Sequence, residues 1–325
     1  KKILLFIYIR EIFMKPVIKN IALVIIPLGI YIFYYSFLIN WIIDDAGISF
    51  AYARNLANGY GLTSWPGEKS VEGFSNFLWT FMIAILHLLR LFDPIITPKI
   101  LAAVLMASSF ILIDQIFFKI TKGHLYGLAA NVFIAVNAPI IIWANSGMEN
   151  SLYIFLLILL CKLIIGFGEN SNHKQILSLS VVCFLISITR PEGCIYSLAF
   201  PAVIILSKFR SKNMSRKILM YGFYFILLFG GFLCFRFLYF GDILPNPYYA
   251  KYNALFSENI FLEKLVYLTY GAGGRWAAVL ILLNCIAIPF SVIYSGEQKK
   301  ICKTLVILFC LGTLNFFLLP SDWMG

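Results

Sequence analysis

Apolar runs of roughly 20 residues, each long enough to cross a bilayer, recur along the chain with short polar stretches between them. The clearest are Ile21–Ile43, Phe77–Phe92, Ile100–Phe118, Leu125–Trp143, Leu152–Phe167, Ile176–Ile188 and Cys194–Ser207, and further runs follow toward the C-terminus. They lack the apolar–polar alternation of barrel strands, so the pattern predicts an all-α, polytopic membrane protein. One segment departs from it. Between Asp45 and Gly59, Ile48, Tyr52 and Leu56 recur every four positions, with Arg54, Asn55 and Asn58 off that face. This stretch is too short and polar to span, and it predicts an amphipathic helix lying at the membrane surface.

Composition sharpens the class. Charged residues make up 13 % of the chain, against about 25 % in an ordinary soluble domain. The net charge of +11 is first a topology signal, because Lys and Arg gather in loops that stay cytoplasmic. No nucleic-acid-binding motif accompanies it, which argues against a nucleic-acid partner. The cysteines at 161, 183, 194, 234, 285, 302 and 310 lie mostly inside apolar runs, with neither metal-ligand nor disulfide spacing. His87, His124 and His173 show no ligand spacing either. Asp114 and Arg236, inside apolar runs, read as structural polar partners.

Charge also orients the chain. Lys1, Lys2, Arg10, Lys15 and Lys19 precede the first run, which places residues 1–20 in the cytoplasm and Asp44–Asp45 outside. Lys208, Arg210, Lys212, Arg216 and Lys217 form the densest basic loop, so it too is cytoplasmic. Counting from it puts Glu149, the Arg190–Gly193 segment, the Gly241–Lys264 segment and Asp322 outside, and the loops around Lys174 and Glu297–Lys303 inside. Asp45 and Glu149 then share a side, yet three apolar segments separate them. One segment fails to cross: Phe77–Phe92, short and carrying His87 and Arg90, or Leu125–Trp143, interrupted by Asn131, Asn137 and Pro139. The chain ends at Gly325 just past an apolar run, and we expect further helices or a domain beyond it.

The polar clusters therefore fall on the outer side. They are Asp44/Asp45, Glu68–Asn76, Gly147–Glu149, Arg190–Gly193, Gly241–Lys251, Arg275 and Asp322-Trp323. Carboxylates are costly near hydrocarbon, so an adjacent acidic pair at the end of an apolar run is a functional candidate. The plainer reading is that Asp44 or Asp45 caps a helix starting near Ala46. Likewise Arg190 suits a snorkelling helix end and Tyr248 and Tyr249 an interfacial aromatic belt, while Glu149 suits a cap or a water-facing position. Gly271–Gly274 has no Lys-Ser/Thr after it and reads as a flexible loop. Together the clusters suit a cavity at the outer face for a polar ligand with an anionic group.

Residues 44–62 (DDAGISFAYARNLANGYGL), Pro66-Gly67-Glu68 and 71–79 (VEGFSNFLW) resemble the first external loop of bacterial GT-C glycosyltransferases, most nearly the mycobacterial terminal β-arabinofuranosyltransferase group. Ser146–Glu149, Arg190–Gly193, Gly241–Lys251 and Asp322–Met324 are similar to that group's later motifs, in the same order. The resemblance implies a GT-C-type helical bundle over 21–325, with about nine spans by the run count and 44–76 as the first external, catalytic loop. It implies a multi-pass protein of the plasma membrane, facing the extracytoplasmic side. The implied reaction is inverting transfer of a sugar, arabinofuranose or another pentose or hexose, from a polyprenyl-phosphate donor to a cell-envelope glycan or other acceptor.

Inverting transfer needs one carboxylate to take the acceptor hydroxyl's proton. By the resemblance Asp44 is that base, with Asp45 second or orienting the acceptor. The phosphate leaving group is already acidic and needs stabilisation rather than a proton. Arg190, Lys251, Arg275, Tyr248 and Tyr249 suit that role. Arg54, Glu149, Glu192, Asn246 and Asp322 complete the expected substrate-binding set. A divalent metal is admitted, with Glu149 as its candidate ligand. The alternative from another class is a transporter or flippase of a lipid-linked sugar, which would carry midplane charges, an internal repeat and broken helices; no repeat is visible.

Overall fold

The computed structural model describes residues 16–168, 170–206, 212–250 and 296–318. Lys1, Lys2, Arg10, Lys15, Lys208 and Arg210, together with the candidate site residues Lys251, Arg275 and Asp322, lie outside the described residues, as does Gly271–Gly274. The described chain is helical, with no strand among the described residues. Its helices are α1 (Pro16–Ser36), α2 (Asp44–Ala57), α3 (Phe77–Leu88), α4 (Ile96–Thr121), α5 (Leu125–Ala135), α6 (Ala138–Ala144), α7 (Asn150–Gly166), α8 (His173–Thr189), a 3-10 helix (Pro191–Leu198), α9 (Ala199–Leu206), α10 (Lys212–Phe240), α11 (Asn246–Ala250) and α12 (Gly296–Leu318). Three stretches among the described residues are long and apolar enough to cross a membrane: Ile96–Thr121, Asn213–Phe240 and Lys299–Phe317. The chain forms two compact units, the first Lys1–Ile43 with Asp93–Ile158 and the second Asp44–Phe92 with Leu159–Gly325.

In the first unit α1, α4, α5 and α6 enclose a core of Tyr31, Met106, Phe110, Ala135, Ile141 and Ala144. The helix expected to run through Ile43 stops at Ser36. Hydrophobicity alone does not show this end, because Phe37–Ile43 is as apolar as the helix. Just past its end Lys99, 3 % exposed, donates from its ammonium to Leu38 O and, at 2.9 Å, to Trp41 O. Cations suit the negative end of a helix. Nearby, Ile43 N donates to Ser146 O at 3.0 Å and Tyr31 Oη to Asn145 Oδ1 at 3.0 Å. The end of α1, the start of α4 and the end of α6 therefore share one end of the unit. At the far end Asp114 of α4 meets His124 Nδ1 at 2.8 Å.

The first unit is left at this end at Ile43 and re-entered before Lys99. Helix α3, 12 residues long, would cover about 18 Å of a roughly 30 Å hydrocarbon core. The α5–α6 pair is bent by 69° where Asn137 accepts from Ile140 N and caps a new helix with Pro139 in its first turn. Glu149, for which a cap, a water-facing position and a place in the outer cavity were all open, is fully buried in this unit, as are its neighbours Ser146 and Ser151.

Gly127 fixes how closely α4 and α5 approach. A Cβ there would stand 2.6 Å from Asp114 Oδ1 and 2.9 Å from Asp114 Cα, so backbone as well as side chain would have to move. Gly127→Ala is expected to cost about 1–3 kcal/mol, the usual overpacking range. Thermal unfolding in detergent checks it, and an unchanged midpoint would show that the hairpin has slack.

In the second unit α2 packs on α3, α8 packs on α10 and on the 3-10 helix, and α9 packs on α12. The buried side of α2 is Ala46, Ser49, Tyr52, Ala53 and Asn55, whereas Ile48 is 44 % exposed. The expected apolar stripe thus holds at Tyr52 and fails at Ile48 and Asn55. Small residues allow α3 close approach, and Asn55 goes inside because both its amide N–H groups find acceptors there, as described below. At one end of this unit lysines close helix C-termini: Lys217 donates to Gly168 O, Lys300 to Phe167 O and Ile165 O, and Lys303 to Leu206 O. Arg236 lies about 28 Å along α10 from Lys217, close to the hydrocarbon thickness. Between them Leu219, Phe223, Ile226 and Leu227 stand exposed.

Candidate functional site

The segment that follows α2 is tied back along it. Asn55 Nδ2 donates to Thr63 O and Ser64 O, each at 2.9 Å. Tyr52 Oη donates to Val71 O at 2.7 Å and accepts from Gly73 N at 3.2 Å. Ser49 Oγ donates to Asn76 Oδ1 at 2.9 Å, and Thr80 Oγ1 donates to the same oxygen at 3.1 Å. Each polar residue on the buried side of α2 thereby satisfies a group of the returning loop, which is what makes burying it affordable. Ser64 Oγ adds a bond to Glu68 Oε2 at 2.9 Å.

The loop is then joined to the end of α10. Leu62 N donates to Tyr239 Oη at 2.9 Å. Gly61 permits this approach: its φ is +82°, and a Cβ would lie 2.6 Å from Tyr239 Oη. Arg236 Nε donates to Glu72 Oε2 at 2.7 Å, with side-chain exposures of 4 % and 3 %. Burial raises the Glu72 carboxyl above its usual range, and Arg236 pulls it back only in part. The Glu72 carbonyl accepts from Asn246 N at 2.9 Å. So the 44–79 block and the Gly241–Ala250 segment, far apart in sequence, form one assembly within this unit.

Past Gly241 the carboxylate of Asp242 is exposed. Its Oδ1 accepts from Tyr249 Oη at 2.6 Å and from Ile243 N at 2.7 Å. The Tyr249 hydroxyl, backbone N–H groups and Arg236 hold Asp242 below the usual carboxylate range, and Asp242 in turn pushes Tyr249 upward. A phenol has one proton to give. In this structure Tyr249 gives it to Asp242. Tyr248 is 39 % exposed, with its ring edge-on to Tyr249.

The remaining expected residues are dispersed. Asp44 and Asp45 occupy the first turn of α2, where the helix dipole favours them, rather than preceding it; Asp44 Oδ1 accepts from Asp45 N at 3.0 Å. Asp44 is exposed and Asp45 half-exposed. Arg54 is exposed in the last turn, about 15 Å along the axis from Asp44, so these two do not meet. Arg190 and Glu192 form an ion pair at 2.5 Å where α8 gives way to the 3-10 helix. Arg190 thus already shares its charge with another expected substrate ligand. Asn246 contributes its backbone N–H. Glu149 lies buried in the first unit, and among the described residues there is no group of three or more His, Cys, Asp or Glu able to hold a metal.

Glu72, Tyr239 and Asp242 were not singled out from sequence. Arg236 was read as a structural partner, and it does pair; an ionisable residue within an apolar run signals a partner without naming it. No protein-family model matches the chain, and no curated protein or solved structure matches it.

Proposed function

We propose that this chain is a GT-C-type, inverting glycosyltransferase of the plasma membrane that takes its sugar from a polyprenyl-phosphate carrier. The observation that carries this reading is the Asp44–Asp45 pair. It is solvent-accessible, stands at the head of α2, and is backed by a polar loop tied to that helix by side-chain bonds along its length. A base must be exposed to its substrate yet held by a rigid support. In this reading the acceptor hydroxyl passes its proton to Asp44 as its oxygen attacks the anomeric carbon. The bond from that carbon to the phosphate oxygen breaks, and polyprenyl phosphate leaves. Lys251 and Arg275 are the cations assigned to the leaving phosphate, with Arg190 shared with Glu192.

The resemblance of 44–79 to the first external loop of such enzymes supports the same reading. The test is incubation of the purified protein with a panel of polyprenyl-phosphate pentoses and hexoses and a cell-envelope glycan acceptor, followed by mass spectrometry. Transfer from at least one donor is expected; no transfer from any overturns the proposal.

A flippase reading draws on the 69° break between α5 and α6 and on buried Glu149, since transporters use broken helices and buried charges. It forecasts movement of a labelled lipid-linked sugar across vesicles without a glycosylated product.

Orientation is tested separately. The lysines that close helix ends at one end of the second unit are assigned to the cytoplasm, and the loop after α2 to the outside. In a Cys-free background, Lys69→Cys is expected to react with an impermeant thiol reagent in intact cells and Lys174→Cys only after lysis. The reverse pattern overturns the orientation.

A further inference from the structure

We propose that the groove between α7 and α8 holds an acyl chain of an anionic phospholipid, with the lipid phosphate set beside Lys174. The groove encloses about 400 Å³ within the second unit. Leu159 and Leu163 of α7 form one wall, and Leu177, Ser178, Val181 and Val182 of α8 form the other. Leu177 and Ser178 are exposed, so the groove opens to the outside of the unit. Among the described residues that line it, Ser178 is the one polar side chain, and its hydroxyl donates to Lys174 O at 2.9 Å. An occupant therefore meets an apolar wall whose one donor is already spent, which suits a chain without polar groups. This inference is independent of the proposed sugar transfer.

Charge selects the lipid. Exposed Lys174 lies three residues before Leu177 and four before Ser178, so it continues the groove face of α8 by one turn toward the 167–172 connection. Lys162, half-exposed, lies three residues after Leu159 on α7. The same end carries Lys217, which donates to Gly168 O, and Lys300, which donates to Phe167 O and Ile165 O. Those two ammonium groups serve helix carbonyls, whereas Lys174 stands at the head of the groove. The connection's one carboxylate, Glu169, lies outside the described residues, and the four lysines outnumber it. An apolar groove with cations at one end matches a phospholipid's own order of chain and phosphate. A lysine at a membrane surface favours an anionic headgroup over a zwitterionic one about fivefold.

The experiment mixes the detergent-solubilised full chain with equal amounts of phosphatidylglycerol and phosphatidylcholine carrying the same chains, and reads retained lipid by native mass spectrometry. Phosphatidylglycerol is expected to be retained about fivefold or more over phosphatidylcholine. Lys174→Gln is expected to remove about fivefold of that preference, and Lys174→Arg to keep it. Ser178→Phe, at an exposed position, fills the groove and is expected to lower phosphatidylglycerol retention severalfold with the charges intact; Leu177→Ser, which makes the wall polar, is read in its place should Ser178→Phe not fold. Glycerol phosphate, a headgroup without a chain, is expected not to compete at matched concentration. Equal retention of the two lipids would make the groove an ordinary lipid-facing surface and overturn the inference. A preference unchanged by Lys174→Gln, or retention unchanged by the groove variant, puts the lipid elsewhere and overturns it as well. Competition by glycerol phosphate would mean a site for soluble phosphate, and a dimer abolished by Ser178→Phe would mean that the groove takes a second copy of this chain; either result overturns it.

Discussion

Asp44→Asn is expected to lower glycosyl transfer by about two to four decades, the scale of a lost general base, while leaving the fold in place. Two features of the site make the separation of chemistry from stability clean. The Asp44 side chain is exposed, and its described bond is the local one from Asp45 N. Asn keeps the shape and an oxygen able to accept that bond, so the first turn of α2 retains its support. What disappears is the group proposed to accept a proton from the acceptor hydroxyl. Asp45, half-exposed in the same turn, is the control: Asp45→Asn is expected to change acceptor affinity more than turnover. Single-turnover transfer on folded protein is the measurement. If Asp45→Asn is dead and Asp44→Asn nearly normal, the base is Asp45. Near-normal turnover in both removes the enzyme reading as drawn.

What the sequence revealed, and what it hid, follows from which interactions are local. The break between α5 and α6 was legible because its cause is local: Asn137 caps and Pro139 sits in the first turn of the new helix. The end of α1 was not, because the group that holds the carbonyls just past it is Lys99, some 60 residues onward. Periodicity misjudged Asn55 for a related reason. It weighs a side chain's polarity and cannot know that Thr63 and Ser64 carbonyls wait for that amide. Glu149 was read as a cap, as facing water or as an acidic residue of the outer cavity, and the structure buries it directly before α7. Of the outer clusters, the sequence brought Arg190 and Glu192 together correctly, since they are neighbours. It found the 44–79 and Gly241–Ala250 segments as separate motifs. The bond that unites them, Glu72 to Arg236, spans 164 residues and has no local signature.

That pair carries the other large expected effect. Glu72→Leu and Arg236→Leu are each expected to destabilise the protein by about 3–5 kcal/mol, because each leaves its former partner charged and buried with no opposite charge. The double variant Glu72→Leu/Arg236→Leu is expected to regain most of that loss, since it removes both charges at once. The Glu72 pKa points the same way. Its folded value is raised, burial outweighing the pull of Arg236. A group raised on folding supports the folded state most below its unfolded pKa, near 4.3, and that support fades as pH rises through the higher folded value. Wild-type stability is therefore expected to fall across this window relative to the double variant, in which the titrating group is gone. Unfolding midpoints in detergent, measured for the four proteins from pH 4 to pH 8, decide it. A double variant as unstable as the sum of the singles would mean that the two residues are not energetically coupled, and would overturn this account of the pair. If instead the double variant is as stable as wild type but no longer transfers sugar, the pair is retained for transfer rather than for the fold.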